Sequence, residues 1–108
     1  FTSNAYAGDW RKQDTALQLT YTALHIMDWG QTLEIARSPQ KYYEINPLIG
    51  RHPSVERVNA YMASSIVLHT LVAYMLPPKY RTYWQCITIG VKAGLVAHNM
   101  DVGLKVRF

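Results

Sequence analysis

At 108 residues and 12.4 kDa the chain is long enough for one core and too short for two. Hydrophobic residues make up 49% and charged residues only 17%, against about a quarter charged in an ordinary soluble domain, which excludes a disordered polyelectrolyte. A lone cysteine, Cys86, excludes a disulfide-stapled miniprotein. The formal charge of +4 is scattered from Arg11 to Arg107 without a basic stripe or arm, so no nucleic-acid partner is expected.

Near the start, Ala5-Tyr6-Ala7 has the small-x-small pattern of a leader cleavage site. On that reading the N-terminus faces the periplasm. A first helix is predicted over about residues 14–36, rich in Ala, Leu, Gln, Met and Ile and stopped by Ser38-Pro39. The following loop carries Pro39, Pro47, Gly50 and Pro53, a density of turn residues that specifies an ordered connection. Ser54 stands directly before Val55-Glu56-Arg57 as an N-cap with an acid in the first turn. The second helix is predicted over 55–76, ending at Pro77-Pro78. It is about 33 Å long at 1.5 Å per residue, against about 30 Å of bilayer hydrocarbon. A third helix is predicted over 79–99. Beyond it Val102, Leu104, Val106 and Phe108 alternate with Gly103, Lys105 and Arg107, the period of a short extended tail. A single strand cannot stand alone, so the tail is expected either to pair with a partner or to lie along the surface.

The expected fold class is therefore all-α: a three-helix bundle, membrane-embedded, with an ordered Pro-rich loop between helices one and two. The stretch from Ala60 to Leu76 holds no charged residue. Helices one and three each carry a charge in mid-helix, Asp28 and Lys92, which lipid tolerates only when it faces the bundle interior or a partner. Tyrosines and Trp84 gather at the helix ends, as in an interfacial belt. The basic residues slightly favour the long loop on the cytoplasmic side.

Polar residues fall in stripes. Asp14, Gln18, Tyr21, His25, Asp28 and Thr32 share one face of helix one; Arg81, Gln85, Thr88, Lys92 and Asn99 share one face of helix three; Tyr61, Ser65 and His69 recur every four residues on helix two. On a soluble bundle such stripes would be the wet faces. In a membrane they must turn inward and pair, with Asp28 meeting Lys92 and His25 meeting His69 or Tyr61. Helix three also offers Gly90, Gly94 and Ala97, a small-residue face that lets a neighbour, helix two or a second chain, approach closely. His25 and Asp28 at i and i+3 suit a metal site only if His69, His52, Glu44 or His98 completes it, and no His-x-x-x-His or Cys-x-x-Cys pair anchors one. Ser64, Ser65 and Cys86 lie in no nucleophile elbow.

Asp28 and Thr32 on one helix, followed by Glu44-Ile45-Asn46-Pro47 before the next, resemble small bacterial and phage-borne helical membrane proteins of unknown function that carry an Asp-x-x-x-Thr pair and a Glu-x-Asn-Pro loop. The resemblance covers about residues 25–58. It implies a membrane protein of three or four helices and supplies no activity, substrate or cofactor.

The expected candidate site is a polar pocket, or loop anchor, of His25, Asp28, Thr32, Glu44, Asn46, His69 and Lys92, with no catalytic residue, no cofactor and no metal. The function expected is that of a non-catalytic accessory or scaffold subunit of a membrane assembly in the bacterial inner membrane. Its expected partners are other membrane subunits or itself, and lipid. Two alternatives belong to other classes: a metal- or cofactor-binding protein using His25, Asp28 and His69, and a phage-encoded envelope or lysis protein.

Overall fold

The computed structural model describes residues 10–44 and 48–108. Ala5-Tyr6-Ala7 and Asn46-Pro47, with the roles expected of them, lie outside the described residues. The architecture is three helices, α1 (Lys12–Arg37), α2 (Val55–Met75) and α3 (Pro78–Asp101), with no strand among the described residues.

Each helix end has a local cause. Expected at Asp14, α1 starts two residues earlier because the Asp14 carboxylate reaches back to Arg11, accepting its backbone N–H at 3.0 Å and its guanidinium at 2.9 and 3.1 Å. That satisfies a first-turn donor that would otherwise have no intrahelical partner. Ser54 caps α2 as expected, its Oγ accepting the Arg57 N–H at 3.1 Å. Leu76, the residue before Pro77, is extended (ψ 146°), and Pro78 opens α3 in the first helical position, where its missing N–H costs nothing. The C-terminus of α3 closes in a Schellman motif: Leu104 N–H donates to Asn99 O at 2.9 Å and Gly103 N–H to Met100 O at 3.0 Å. Gly103 takes the left-handed conformation this requires (φ +98°), and the Leu104 side chain is buried against the bundle.

The chain reverses direction at each connection, so α1 and α3 run parallel and α2 antiparallel to both. One end of the bundle is the tight Leu76-Pro77 junction between α2 and α3; the other carries the long loop and the C-terminal tail. Among the described residues the main apolar cluster sits at the loop end, where Leu33, Ile49, Val58 and Met62 are buried, with Trp29, Ala36, Val55 and Tyr61 packed around them; Tyr21 and Ala73 are buried farther along the bundle. Elsewhere the helices meet through polar side chains. Large apolar residues point the other way: Leu19 on α1, Val67, Leu68 and Met75 on α2 and Ile87 on α3 are each 60–67% exposed. Among the described residues one helix, α2, is long and apolar enough to cross a membrane, with a mean hydropathy of 1.2 over its best window.

Of the two fates expected for the tail, it takes the second and lies along α1. The Arg107 N–H donates to Gly30 O at 3.3 Å, and the Phe108 ring meets Trp29 edge-on at 6.2 Å. Gly30 makes this approach possible: a Cβ there would stand 2.6 Å from Val106 Cγ1 and 3.0 Å from the Arg107 nitrogen. The small face of α3 departs from one of its expected uses. Among the described residues nothing lies within 4 Å of a Cβ built on Gly90 or Gly94, and both glycines and Ala97 are exposed, so neither α1 nor α2 packs there.

Candidate functional site: a polar interior

All six residues of the α1 stripe are buried, Asp14, His25 and Thr32 almost completely, and they face Arg81, Gln85 and Asn99 of α3 and His69 of α2, which are buried as well. Burial strips these groups of water, so each must find a partner inside.

At the junction end the partner of Asp14 is Arg81. Arg81 Nη1 donates to Asp14 Oδ2 at 2.8 Å, and both side chains are fully buried. The same guanidinium caps the C-terminus of α2, donating to the carbonyls of Ala73 (2.6 Å), Leu76 (3.1 Å) and Tyr74 (3.3 Å). These are carbonyls of the last turn, which a helix cannot satisfy itself; the planar five-donor fork of arginine suits the task. The Trp10 ring covers the guanidinium at 4.8 Å.

One turn deeper the network spans all three helices. Gln85 Nε2 donates to Asp14 O at 3.0 Å and Gln18 Oε1 at 3.2 Å. Gln18 Nε2 in turn meets His69 Nδ1 at 2.9 Å. An amide N–H can only donate, so Nδ1 accepts and the His69 proton sits on Nε2, which donates to Thr88 Oγ1 at 2.7 Å. The imidazole is clamped between rings, parallel to Tyr21 at 3.5 Å on one face and stacked on Trp84 at 4.9 Å on the other. His25 lies a turn beyond Tyr21. Its Nε2 donates to Met62 O at 3.0 Å, which leaves Nδ1 to accept from the Tyr21 hydroxyl at 3.4 Å. His25 therefore meets neither His69 nor Tyr61 by hydrogen bond; Tyr21 stands between the two imidazoles.

Toward the loop end Lys92 Nζ donates to Asp28 Oδ2 at 2.7 Å, the pair read from the sequence. Asp28 Oδ1 accepts from Asn99 Nδ2 at 3.1 Å and, at 3.5 Å, from Thr32 Oγ1. Asn99 also donates to Gln31 Oε1 at 2.9 Å, and Gln31 to Val96 O at 3.3 Å. A cavity of about 250 Å³ opens beside this cluster, with Asp28, Glu44, Lys92 and Asn99 around an apolar floor that includes Ile49 and Met62. Of the expected site residues, Asp28, Glu44 and Lys92 thus border one cavity and Thr32 touches Asp28, while His25 lies a turn back along α1 and His69 belongs to the mid-bundle network.

Chemically the interior holds two ion pairs and a chain of neutral amide, hydroxyl and imidazole groups. Both nitrogens of His25 and of His69 are engaged, and among the described residues no group of three or more His, Cys, Asp or Glu side chains is placed to hold a metal. Arg81, Asp14, Gln18, Gln85, Gln31 and Asn99 join the site although the expected pocket omitted them; all but Gln31 already lay on the sequence stripes.

Comparison with models of known families, with curated proteins and with solved structures finds no match. Fold and site alone define the class: an all-α three-helix chain with a charged and hydrogen-bonded interior and an apolar exterior.

Proposed function

We propose that this chain is an integral membrane protein whose three helices cross the bilayer as one unit, and that it serves as a non-catalytic accessory or scaffold subunit of a membrane assembly. One observation carries the reading: the distribution of polarity is inverted relative to a soluble bundle. Ion pairs and amides occupy the centre while leucine, valine, isoleucine and methionine side chains stand outward along all three helices. In water this arrangement would desolvate charges and leave the apolar surface wet; in lipid it is the arrangement that leaves few polar groups uncovered. The 26 residues of α1 span about 39 Å, enough for the hydrocarbon and part of both interfaces. Tyr74, Tyr80 and Tyr83 stand exposed at the junction end, where an aromatic belt would lie.

The way the polar groups are used supports the proposed subunit role. The histidines, glutamines and ion pairs of the interior are engaged with one another and with helix termini, which is the work of holding helices together. The open face of Gly90, Gly94 and Ala97 is a surface on which a helix of a second subunit can approach closely. The reading includes the bacterial inner membrane as the location, which rests only on the likeness of Asp28, Thr32, Glu44, Asn46 and Pro47 to the motifs of small bacterial membrane proteins.

Cys86, exposed on α3, tests the spanning directly. In alkaline-washed membranes it is expected to resist a water-soluble maleimide and to react once detergent is added; rapid labelling in intact membranes refutes the spanning arrangement. Gly90→Leu and Gly94→Leu test the subunit role. Both are expected to keep the helical content of the wild type and to lose its association in mild detergent, and a wild type that runs as a monomer overturns that role.

A further inference from the structure

We infer that the loop end of the bundle carries a binding site for the phosphodiester of an anionic membrane lipid, a reading that rests on the membrane-spanning arrangement proposed above. The site is a cleft of about 330 Å³ between the last turn of α1, the start of the loop and the C-terminal tail. Four cations line it: Arg37, Lys41, Lys105 and Arg107. One carboxylate, Glu34, stands among them, so four positive charges against one negative leave a net of three. Glu34 partly offsets them, pairing with Arg107, whose Nε lies 3.5 Å from Glu34 Oε1.

The cleft is assembled by the fold. Lys105 and Arg107 reach it only because the tail turns back at Gly103 and docks on Gly30. Arg37 helps hold them there, its Nη1 donating to the backbone oxygens of Arg107 and Phe108 at 3.4 and 3.3 Å. Among the described residues neither Lys41 nor Lys105 forms an ion pair; the Lys41 ammonium lies 5.3 Å from the Tyr42 ring centroid. The α1 C-terminus points its negative dipole end toward this region, which four cations outweigh. The hydroxyl of Ser38 adds a neutral donor on the wall.

Two features favour a lipid over a soluble phosphate. The cleft lies at the end of a bundle that exposes apolar side chains along its helices, at the depth where headgroups would sit, and the Tyr42 ring lines it beside the cations. The loop end also carries the larger share of the basic residues, which orients it to the cytoplasmic leaflet, where anionic lipids are concentrated.

The test uses the full chain purified in neutral detergent, with its thermal midpoint read after adding phosphatidylglycerol, phosphatidylcholine or inorganic phosphate. Phosphatidylglycerol is expected to raise the midpoint by about 5 °C or more, with phosphatidylcholine and phosphate doing little. In Lys41→Gln/Lys105→Gln, at two exposed positions, the apparent affinity for phosphatidylglycerol is expected to fall about thirty-fold, roughly fivefold per cation removed near a membrane surface. Lys12→Gln, at the opposite end, is expected to change nothing. Equal shifts from the two lipids, or an unaltered response in the double variant, overturn the site. A full shift from inorganic phosphate alone overturns the lipid assignment in favour of a soluble anion. Cys86 protection in alkaline-washed membranes reports spanning separately, so protection there without lipid preference in detergent defeats this inference and leaves the membrane reading intact.

Discussion

Removing the Arg81 guanidinium is the most direct perturbation of the interior. In Arg81→Met the apolar stem is kept, but Asp14 loses its fully buried partner, and the carbonyls of Ala73, Tyr74 and Leu76 lose their donor. Breaking a buried ion pair by deleting one member costs about 3–5 kcal/mol, and each carbonyl left dry adds about 1–3 kcal/mol. Two features bring the loss well below the sum of these terms. Arg11 still holds both oxygens of Asp14, and the last turn of α2 can fray and recover water at the bundle end. A loss of about 3 kcal/mol is the resulting figure, equivalent to about 12–24 °C in the melting of a chain this size. Thermal unfolding followed by far-ultraviolet circular dichroism in mild detergent measures it. Arg81→Lys has three donors in place of a five-donor fork and is expected to recover less than half of the loss. Asp14→Asn combined with Arg81→Met is expected to melt above Arg81→Met alone, because the second change removes the stranded charge. If Arg81→Met melts within about 3 °C of the wild type, less than 1 kcal/mol is involved, and the claim that this guanidinium ties three helices together is wrong.

The second ion pair supports a parallel cycle: Lys92→Met strands Asp28 with only Asn99 and Thr32 and is expected to cost about 2–3 kcal/mol, since the pair retains slight exposure. Adding Asp28→Asn should restore at least half of that, measured by the same melts, and strictly additive losses would show that the two groups are not coupled. Gly30→Ala places a methyl group against Val106 and the Arg107 backbone and is expected to cost about 1–3 kcal/mol. The readout is tryptic cleavage after Lys105, accelerated when the tail lifts; an unchanged cleavage rate would show that α1 accommodates the methyl without releasing the tail.

Several features of this arrangement are legible in the sequence because they depend on spacing. The α1 stripe repeats at three and four residues, and all six of its members are buried. Asp14 and Asp28 are 14 apart on α1, Arg81 and Lys92 are 11 apart on α3, and two parallel helices bring both acid–base pairs into register within about 5 Å of rise, a gap the long lysine stem spans. The second helix is bracketed by Ser54 and Pro77, so its ends follow from local chemistry. Other features depend on which helix faces which. The ring of Tyr21 between two histidines, the use of Arg81 as a cap for α2, and the choice of Met62 O over another side chain for His25 are tertiary facts with no periodic signal. The small face of α3 was equally readable as a seam with α2, and only the packing shows that this chain leaves it open. The tail alternates like a strand, yet Gly103 and Gly30 together fold it down onto a helix, where backbone proximity decides its path.

The placement of the four interior charges bears on how the molecule is made. Both acids are on α1 and the bases they meet across the bundle are on α3, which follows α1 and α2 in the chain. Until α3 emerges, Asp14 and Asp28 have no cationic partner across the bundle, and under the proposed membrane arrangement α1 would be a poor occupant of lipid. Among the described residues α2 alone is long and apolar enough to cross a membrane. If the proposed membrane arrangement holds, Arg81 and Lys92 of α3 are what neutralise α1 inside the bilayer, so the seating of α1 depends on α3. A chain interrupted before α3 would leave Asp28 without its base and Asp14 with Arg11 of its own helix alone.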